Sequence, residues 1–207
     1  MKKLISGLHK FQTEVFPIQK DFFQKLAKGQ EPEILFITCS DSRINPSLVT
    51  SADPGDLFIV RNAGNIIPAY EVRSGEAATI EFAINHLKVQ HLIICGHSHC
   101  GAIEAAVHLD TLNNEPQLHA WIDENISPTL ALLHKNYPTI TDKVSLGDIL
   151  LQEHVLQQIE NVKTHPTVIH AIAQGTLTLH AWVYRFEEGN IYSFNQNNGQ
   201  FELIKHL

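Results

Sequence analysis

Five residues after a short apolar run read Cys39-Ser40-Asp41-Ser42-Arg43, and a second cluster, Gly96-His97-Ser98-His99-Cys100-Gly101, begins 57 positions beyond Cys39. Two thiols and one imidazole make the donor set of a three-ligand zinc site that keeps one coordination position open. Water at an open position becomes a nucleophile near neutral pH. Asp41 and Arg43 stand two and four residues past the first thiol, close enough to act on such a water. His97 and Cys100 are three apart between glycines, a spacing that suits a turn entering a helix, where residues i and i+3 share a face. The helix start favours negative charge and is expected to help keep the Cys100 thiolate ionised.

The neighbours of these residues are weighed in turn. Cys95 lies inside an apolar run and reads as a small buried hydrophobe. His99 falls on a different face of the turn from His97 and Cys100, so it is expected outside the ligand set. A closed structural site would want a fourth soft ligand, and the sequence shows no second Cys-x-x-Cys or His-x-x-His pair. Asp41 admits several readings: a turn residue after a strand, half of an ion pair with Arg43, an acceptor for the hydrogen of zinc-bound hydroxide held in place by Arg43, or a fourth ligand that closes the site.

These residues need a scaffold. The 207 residues suffice for one well-buried core, with 43% hydrophobic and 18% charged residues. A net charge of −7 argues against a general nucleic-acid binder, which needs a basic patch. Three cysteines are not a disulfide framework, and reduced thiols point to the cytoplasm. The start Met1-Lys2-Lys3 is followed by an apolar stretch too short for a signal peptide, and no apolar run approaches membrane-spanning length. Scattered histidines such as His86, His108, His119 and His134 read as surface residues.

Residues 3–28 read as two amphipathic helical pieces, with Leu8, Phe11 and Val15, then Ile18, Phe22 and Leu26 at three- and four-residue spacing. Pro17 fits the start of the second piece and Gly29 its C-cap. This arm, residues 1–29, is expected to pack on a partner subunit. Beyond it, apolar strands are expected at Glu33 to Thr38, Leu57 to Val60 and His91 to Cys95. Helices are expected at Glu76 to Leu87, over 100–109, at Leu118 to His134 with a break at Pro128, and at Ser145 to Lys163 with Ile149, Leu156, Ile159 and Val162 inward. Leu177 to Phe186 and Ile191 to Phe194 read as a closing hairpin. The alternation predicts one α/β domain over 1–207 with a mostly parallel sheet. Ligand sites in such sheets lie beyond the carboxyl ends of the strands, where Cys39 and His97 both fall.

With the motifs assembled, the chain closely resembles the β-class carbonic anhydrases. The resemblance rests on Cys-Ser-Asp-Ser-Arg, Gly-His-Ser-x-Cys-Gly, Arg61-Asn62-Ala63-Gly64-Asn65 and His180-Ala181-Trp182-Val183-Tyr184, in the same order over residues 11–195. It implies Cys39, His97 and Cys100 as ligands of one Zn2+ per subunit, and Asp41 with Arg43 as the catalytic dyad, Asp41 doubling as the fourth ligand of a closed state. It implies a mostly parallel four-stranded sheet with an added antiparallel strand, flanked by helices. It also implies a homodimer or homotetramer whose N-terminal helices pack on the neighbouring subunit, with Gln30 reaching the partner's active site to bind substrate. The reaction implied is the reversible hydration of CO2 to bicarbonate and a proton, by attack of zinc-bound hydroxide. Apart from the resemblance, His99 reads as a surface residue or as a possible proton shuttle, since imidazole titrates in the right range. Some members hold bicarbonate in a non-catalytic pocket built on a Trp, an Arg and a Tyr. Here Arg61 and Tyr184 match, but Phe36 replaces the Trp and lacks its N–H donor, so that pocket is not expected to work. The competing readings are hydrolysis of carbon disulfide or carbonyl sulfide on the same scaffold, and a non-catalytic zinc module with Asp41 held on the metal. A dinucleotide-binding enzyme is the weakest, since no Gly-x-Gly-x-x-Gly turn follows a strand.

Overall fold

A computed structural model of the chain describes residues 1–140 and 142–205, which divide into two compact units, Met1–Glu31 and Pro32–Leu207. In the first, α1 (Lys2–Lys10) runs on into a π-helical turn at Phe11–Val15, and α2 follows at Lys20–Leu26. Phe11, Phe16, Phe22 and Phe23 meet edge-on or tilted within the unit, with centroids 5.5–6.2 Å apart. Two expectations fail here. Pro17 lies in the turn between the pieces, and α2 begins at Lys20 after Gln19. The helix ends on Ala27 with right-handed backbone, and Lys28 and Gly29 tighten the end by bonding back to Lys25 and Leu26, so no left-handed glycine cap forms.

The second unit is built on a six-stranded sheet. In chain order its strands are β1 (Ile34–Cys39), β2 (Leu57–Asn62), β3 (His91–His97), β4 (Thr178–Arg185), β5 (Asn190–Asn195) and β6 (Gln200–Leu203). Their spatial order is β2-β1-β3-β4-β5-β6. The first four are mutually parallel; β5 runs antiparallel to β4, and β6 antiparallel to β5. The sheet thus carries two antiparallel strands where one was expected. The added strand, reading QFEL, is only four residues long and is half-exposed or exposed throughout, too short for its alternation of Phe201 and Leu203 with polar residues to stand out.

Burial makes β1 a central strand. Leu35, Phe36 and Ile37 are fully buried, although consecutive residues point to opposite faces. Each buried side chain of this size contributes roughly 1.5–3 kcal/mol, more than the ~1 kcal/mol span of strand propensities. Coverage of both faces therefore outweighs intrinsic preference. β3 has the same continuous pattern. Because β1 and β3 pair directly, with Thr38 opposite Cys95, the ends of both strands reach one edge together.

The helices of this unit are α3 (Pro46–Thr50), α4 (Gly75–Phe82, extended by a π turn at Ala83–Leu87), α5 (Gly101–Val107), α6 (Pro116–Asn125), α7 (Ser127–Asn136), α8 (Lys143–Lys163) and α9 (Pro166–Ala173). Side chains of Asn45, Ser74 and Asp142 accept the first free N–H groups of α3, α4 and α8. The break between α6 and α7 falls at Ile126, two residues before the expected Pro128, which instead sits in the first turn of α7 where its missing N–H costs nothing. The short helices α3 and α9 were not expected from the sequence. The buried stripe of α8 runs through Leu150, Leu151, Val155, Ile159 and Val162, while Ile149 and Leu156 are only partly buried beside it.

Candidate metal centre

Cys39 is the last residue of β1 and His97 the last of β3, so the direct pairing of those strands brings two candidate ligands 58 positions apart in sequence to one sheet edge. Cys100 follows through a reversal at His99, whose backbone is left-handed with φ 54°. One donor atom from each of Cys39, His97 and Cys100 lies within 4.8 Å of the other two, and all three residues are buried. Among the described residues this is the one group of three or more His, Cys, Asp or Glu side chains arranged to hold a metal ion.

The donors fit zinc. The two sulfurs are 3.9 Å apart, and tetrahedral zinc with bonds near 2.3 Å spaces two thiolates about 3.8 Å apart. The Nδ1 of His97 faces the Ser98 carbonyl at 2.9 Å, so it carries the proton and leaves Nε2 as a bare donor. That Nε2 is fully buried and has no protein partner. An orphaned buried nitrogen is costly unless something outside the chain ligates it.

The helix start acts on Cys100 as expected, and Cys39 has donors of its own. Its sulfur is lowered in pKa first by the Cys100 thiol, and by the N–H groups of Gly64 and Asp41, both 3.4 Å away. Cys100 caps α5, and the N–H groups of Ala102 and Ile103 favour its thiolate, but the Cys39 sulfur and burial outweigh them and raise it. Cys95 is fully buried, and its thiol is pushed up to about 12 by burial, as an inert core residue.

Asp41 is turned to Arg43. Its Oδ1 accepts from the backbone N–H (2.9 Å) and Nε (3.0 Å) of Arg43, and its Oδ2 from Nη2 (2.7 Å). These bonds hold the carboxyl well below the usual carboxylate range. The same Oδ2 lies 4.0 Å from His97 Nε2, so the carboxylate borders the triad without being consumed by it. Arg43 is fixed by two further contacts: Nη2 donates to the His99 carbonyl at 2.9 Å, and its guanidinium lies 4.9 Å from the centre of the Phe186 ring. Phe186 also packs on the His97 ring. Sequence reasoning missed Phe186, whose only signal was its place at the end of the fourth apolar strand.

Other expected residues fall as follows. His99 is outside the triad, largely exposed, with Nε2 3.5 Å from Glu187 Oε2. Buried Ser98 donates to the same Glu187 oxygen (2.7 Å) and accepts from the Phe186 N–H (3.0 Å), pinning the ligand turn to the end of β4. Gln30 is exposed in the N-terminal unit. Arg61 spends its guanidinium on the carbonyls of Cys39, Asp41 and Ile44, at 2.7–3.0 Å, and so shapes the loop that carries Asp41 and Arg43. Phe36 is buried against Trp182, and Tyr184 packs on Phe186.

The comparisons with known proteins agree with this geometry. The family model described as carbonic anhydrase matches residues 34–191. A carbonic anhydrase of Synechococcus elongatus is 43% identical over 201 residues, covering 96% of this chain and 73% of its own. One from Pseudomonas aeruginosa is 37% identical, covering 97% and 90%. Among solved structures, the β-carbonic anhydrase CcaA superposes with a TM-score of 0.94 at 39% identity over 99% of both chains. A tetrameric β-carbonic anhydrase of Sordaria macrospora gives 0.85 at 30% identity, covering 94% of this chain and 96% of that one. With two thiols, a bare imidazole nitrogen and an arginine-held aspartate gathered at the end of a parallel sheet, the chain belongs to the β-class carbonic anhydrases.

Proposed function

We infer that the chain catalyses the reversible hydration of CO2 to bicarbonate and a proton, with one zinc ion held by Cys39, His97 and Cys100. The observation that carries this reading is the pairing of a three-donor cluster with a carboxylate that borders it yet is bound to Arg43. Zinc in such a site would lower the pKa of water at the open position from 15.7 toward about 7 and so supply the nucleophile. Asp41, kept ionised and oriented by Arg43, is an acceptor that can fix the hydrogen of that water so that a lone pair faces CO2. To become a fourth ligand, Asp41 would have to give up its paired bonds to Arg43; this supports the catalytic reading over a closed, non-catalytic zinc module.

The remaining roles are proposals on the same footing. His99 is assigned as a proton carrier, a role supported by its exposed ring beside Glu187. Gln30 is assigned to substrate binding in a partner's site, within a homodimer or homotetramer joined through the N-terminal helices. The commitment of Arg61 to three carbonyls supports the absence of a working bicarbonate pocket around Phe36. Three free thiols, two of them reserved for metal, support a cytoplasmic setting. Among the described residues no helix is long and apolar enough to cross a membrane.

Stopped-flow CO2 hydration tests the reading. Asp41→Asn should retain zinc and lose turnover by about 100-fold or more. Full activity in that variant would refute the role of Asp41, and release of sulfide from carbonyl sulfide with no CO2 hydration would move the chain to the other substrate class.

A further inference from the structure

α8 buries two polar side chains that the reaction does not use. His154 and Gln158 are both fully buried amid the apolar stripe of that helix, and Asn161 lies one turn further along the same face. Buried polar groups destabilise a fold unless hydrogen bonds offset their lost hydration. Here the bonds all lead to the segment 62–68 that follows β2.

The directions of these bonds can be deduced in order. Gln158 Oε1 accepts twice, from the Ile67 N–H at 2.8 Å and from Asn161 Nδ2 at 3.2 Å. Asn161 Nδ2 also donates to the Ile67 carbonyl at 2.9 Å. With its oxygen so placed, Gln158 presents its NH2 group to His154 Nδ1 at 3.3 Å. An amide nitrogen only donates, so Nδ1 accepts and the ring proton is on Nε2. That Nε2 then donates to the Gly64 carbonyl at 2.7 Å. Gly64 in turn donates its N–H to the Cys39 sulfur at 3.4 Å.

Gly64 can take this position only as glycine. Its φ is +85°, and a Cβ there would lie 2.9 Å from the Cβ of Ala102 in α5, the helix that starts after Cys100. The residue is therefore wedged between the two thiol-bearing segments, and His154 holds it from the third side. Burial lowers the pKa of His154 to about 4, so the ring stays neutral and its tautomer does not change near neutral pH.

We propose that His154, oriented by Gln158, is a positioning residue of the metal centre: by holding the Gly64 carbonyl it keeps the Gly64 N–H on the Cys39 sulfur and so sets how strongly that thiolate donates to zinc. Outer partners of this kind commonly change metal affinity or activity by 10–100-fold when removed. The proposal rests on the zinc assignment above and concerns a contact on α8, remote from substrate.

The test uses the full chain, zinc-loaded for kinetics and cobalt-substituted for spectroscopy. His154→Phe fills the site but cannot donate to Gly64. It is expected to raise the zinc dissociation constant about tenfold or more, to move the sulfur-to-cobalt charge-transfer band to longer wavelength, and to shift the pH midpoint of CO2 hydration to the alkaline side. His154→Gln, whose amide nitrogen can reach the Gly64 carbonyl, should restore the band and the midpoint. Should His154→Phe fail to fold, Gln158→Met, which removes the bond that orients the ring, should produce changes of the same sign. A wild-type band, affinity and midpoint in the folded His154→Phe or Gln158→Met protein would overturn the proposal. Failure of the wild-type chain itself to bind zinc or cobalt would overturn the metal assignment instead, so the two failures are separable.

Discussion

Cys39 shows how a candidate metal ligand is prepared by its surroundings. Two backbone N–H groups point at its sulfur, one from Gly64 and one from Asp41, so its thiolate is stabilised by the loops that carry the rest of the site. The candidate cluster was legible in the sequence because its chemistry belongs to side chains at telling intervals: Cys39, Asp41 and Arg43 in one stretch, His97 and Cys100 in another, and the structure brings them together. Gly64 stood in a matched motif with no role attached, and Phe186 and His154 carried no mark at all, because their contacts depend on tertiary placement. A histidine in a helix has no mark in the sequence to say that it will be buried. His154 makes a prediction of its own. In the folded chain it takes up a proton only near pH 4, against 6.5 for an unperturbed imidazole. Its contribution to stability is therefore complete above pH 6.5 and is lost as pH falls toward 4, by up to about 3 kcal/mol. Urea midpoints of the wild-type protein should drop more steeply over this interval than those of His154→Gln, which carries the same centre; parallel slopes would contradict the assignment of a neutral buried ring.

The elements place these residues by strand adjacency. β1 and β3 were both readable as continuous apolar runs, and their direct pairing is what carries Cys39 and His97 to one edge. The elements that escaped reading are those with weak patterns: β6 has four residues, α3 has five, and α9 is a short helix with no long periodic stripe. α8 packs closely on β3 at Gly96, beside His97. A Cβ at Gly96 would sit 2.7 Å from Val155 Cγ2 and 2.8 Å from Leu151 Cδ1, both on α8. Gly96→Ala should therefore push α8 from the sheet and destabilise the protein by about 1–3 kcal/mol, as overpacking does. Chemical denaturation measures this directly, and an unchanged midpoint would show that the helix does not lie so close.

For the molecule as a whole, the N-terminal unit poses the main question. None of its residues is buried, and Leu4, Ile5 and Leu8 are 70%, 61% and 57% exposed, with Phe11, Val15, Phe16 and Ile18 also exposed. Such exposed apolar side chains are what a subunit contact would cover, which is the role proposed for the arm. The sequence showed the apolar stripe but not the turn around Pro17, since a proline reads equally well inside a turn and at a helix start. Replacing Leu8 with Asp should weaken subunit association about thirtyfold, the equivalent of ~2 kcal/mol. Sedimentation across a dilution series would detect it, and an unchanged mass at every concentration would contradict a joining role for the arm.

The measurement closest to the central claim pairs elemental analysis with stopped-flow CO2 hydration on one preparation, before and after chelation. The account predicts one zinc per chain, hydration activity in the loaded protein, and loss of both in Cys39→Ala. A metal-free wild-type protein that hydrates CO2 at full rate, or a Cys39→Ala protein that keeps its zinc, would contradict it.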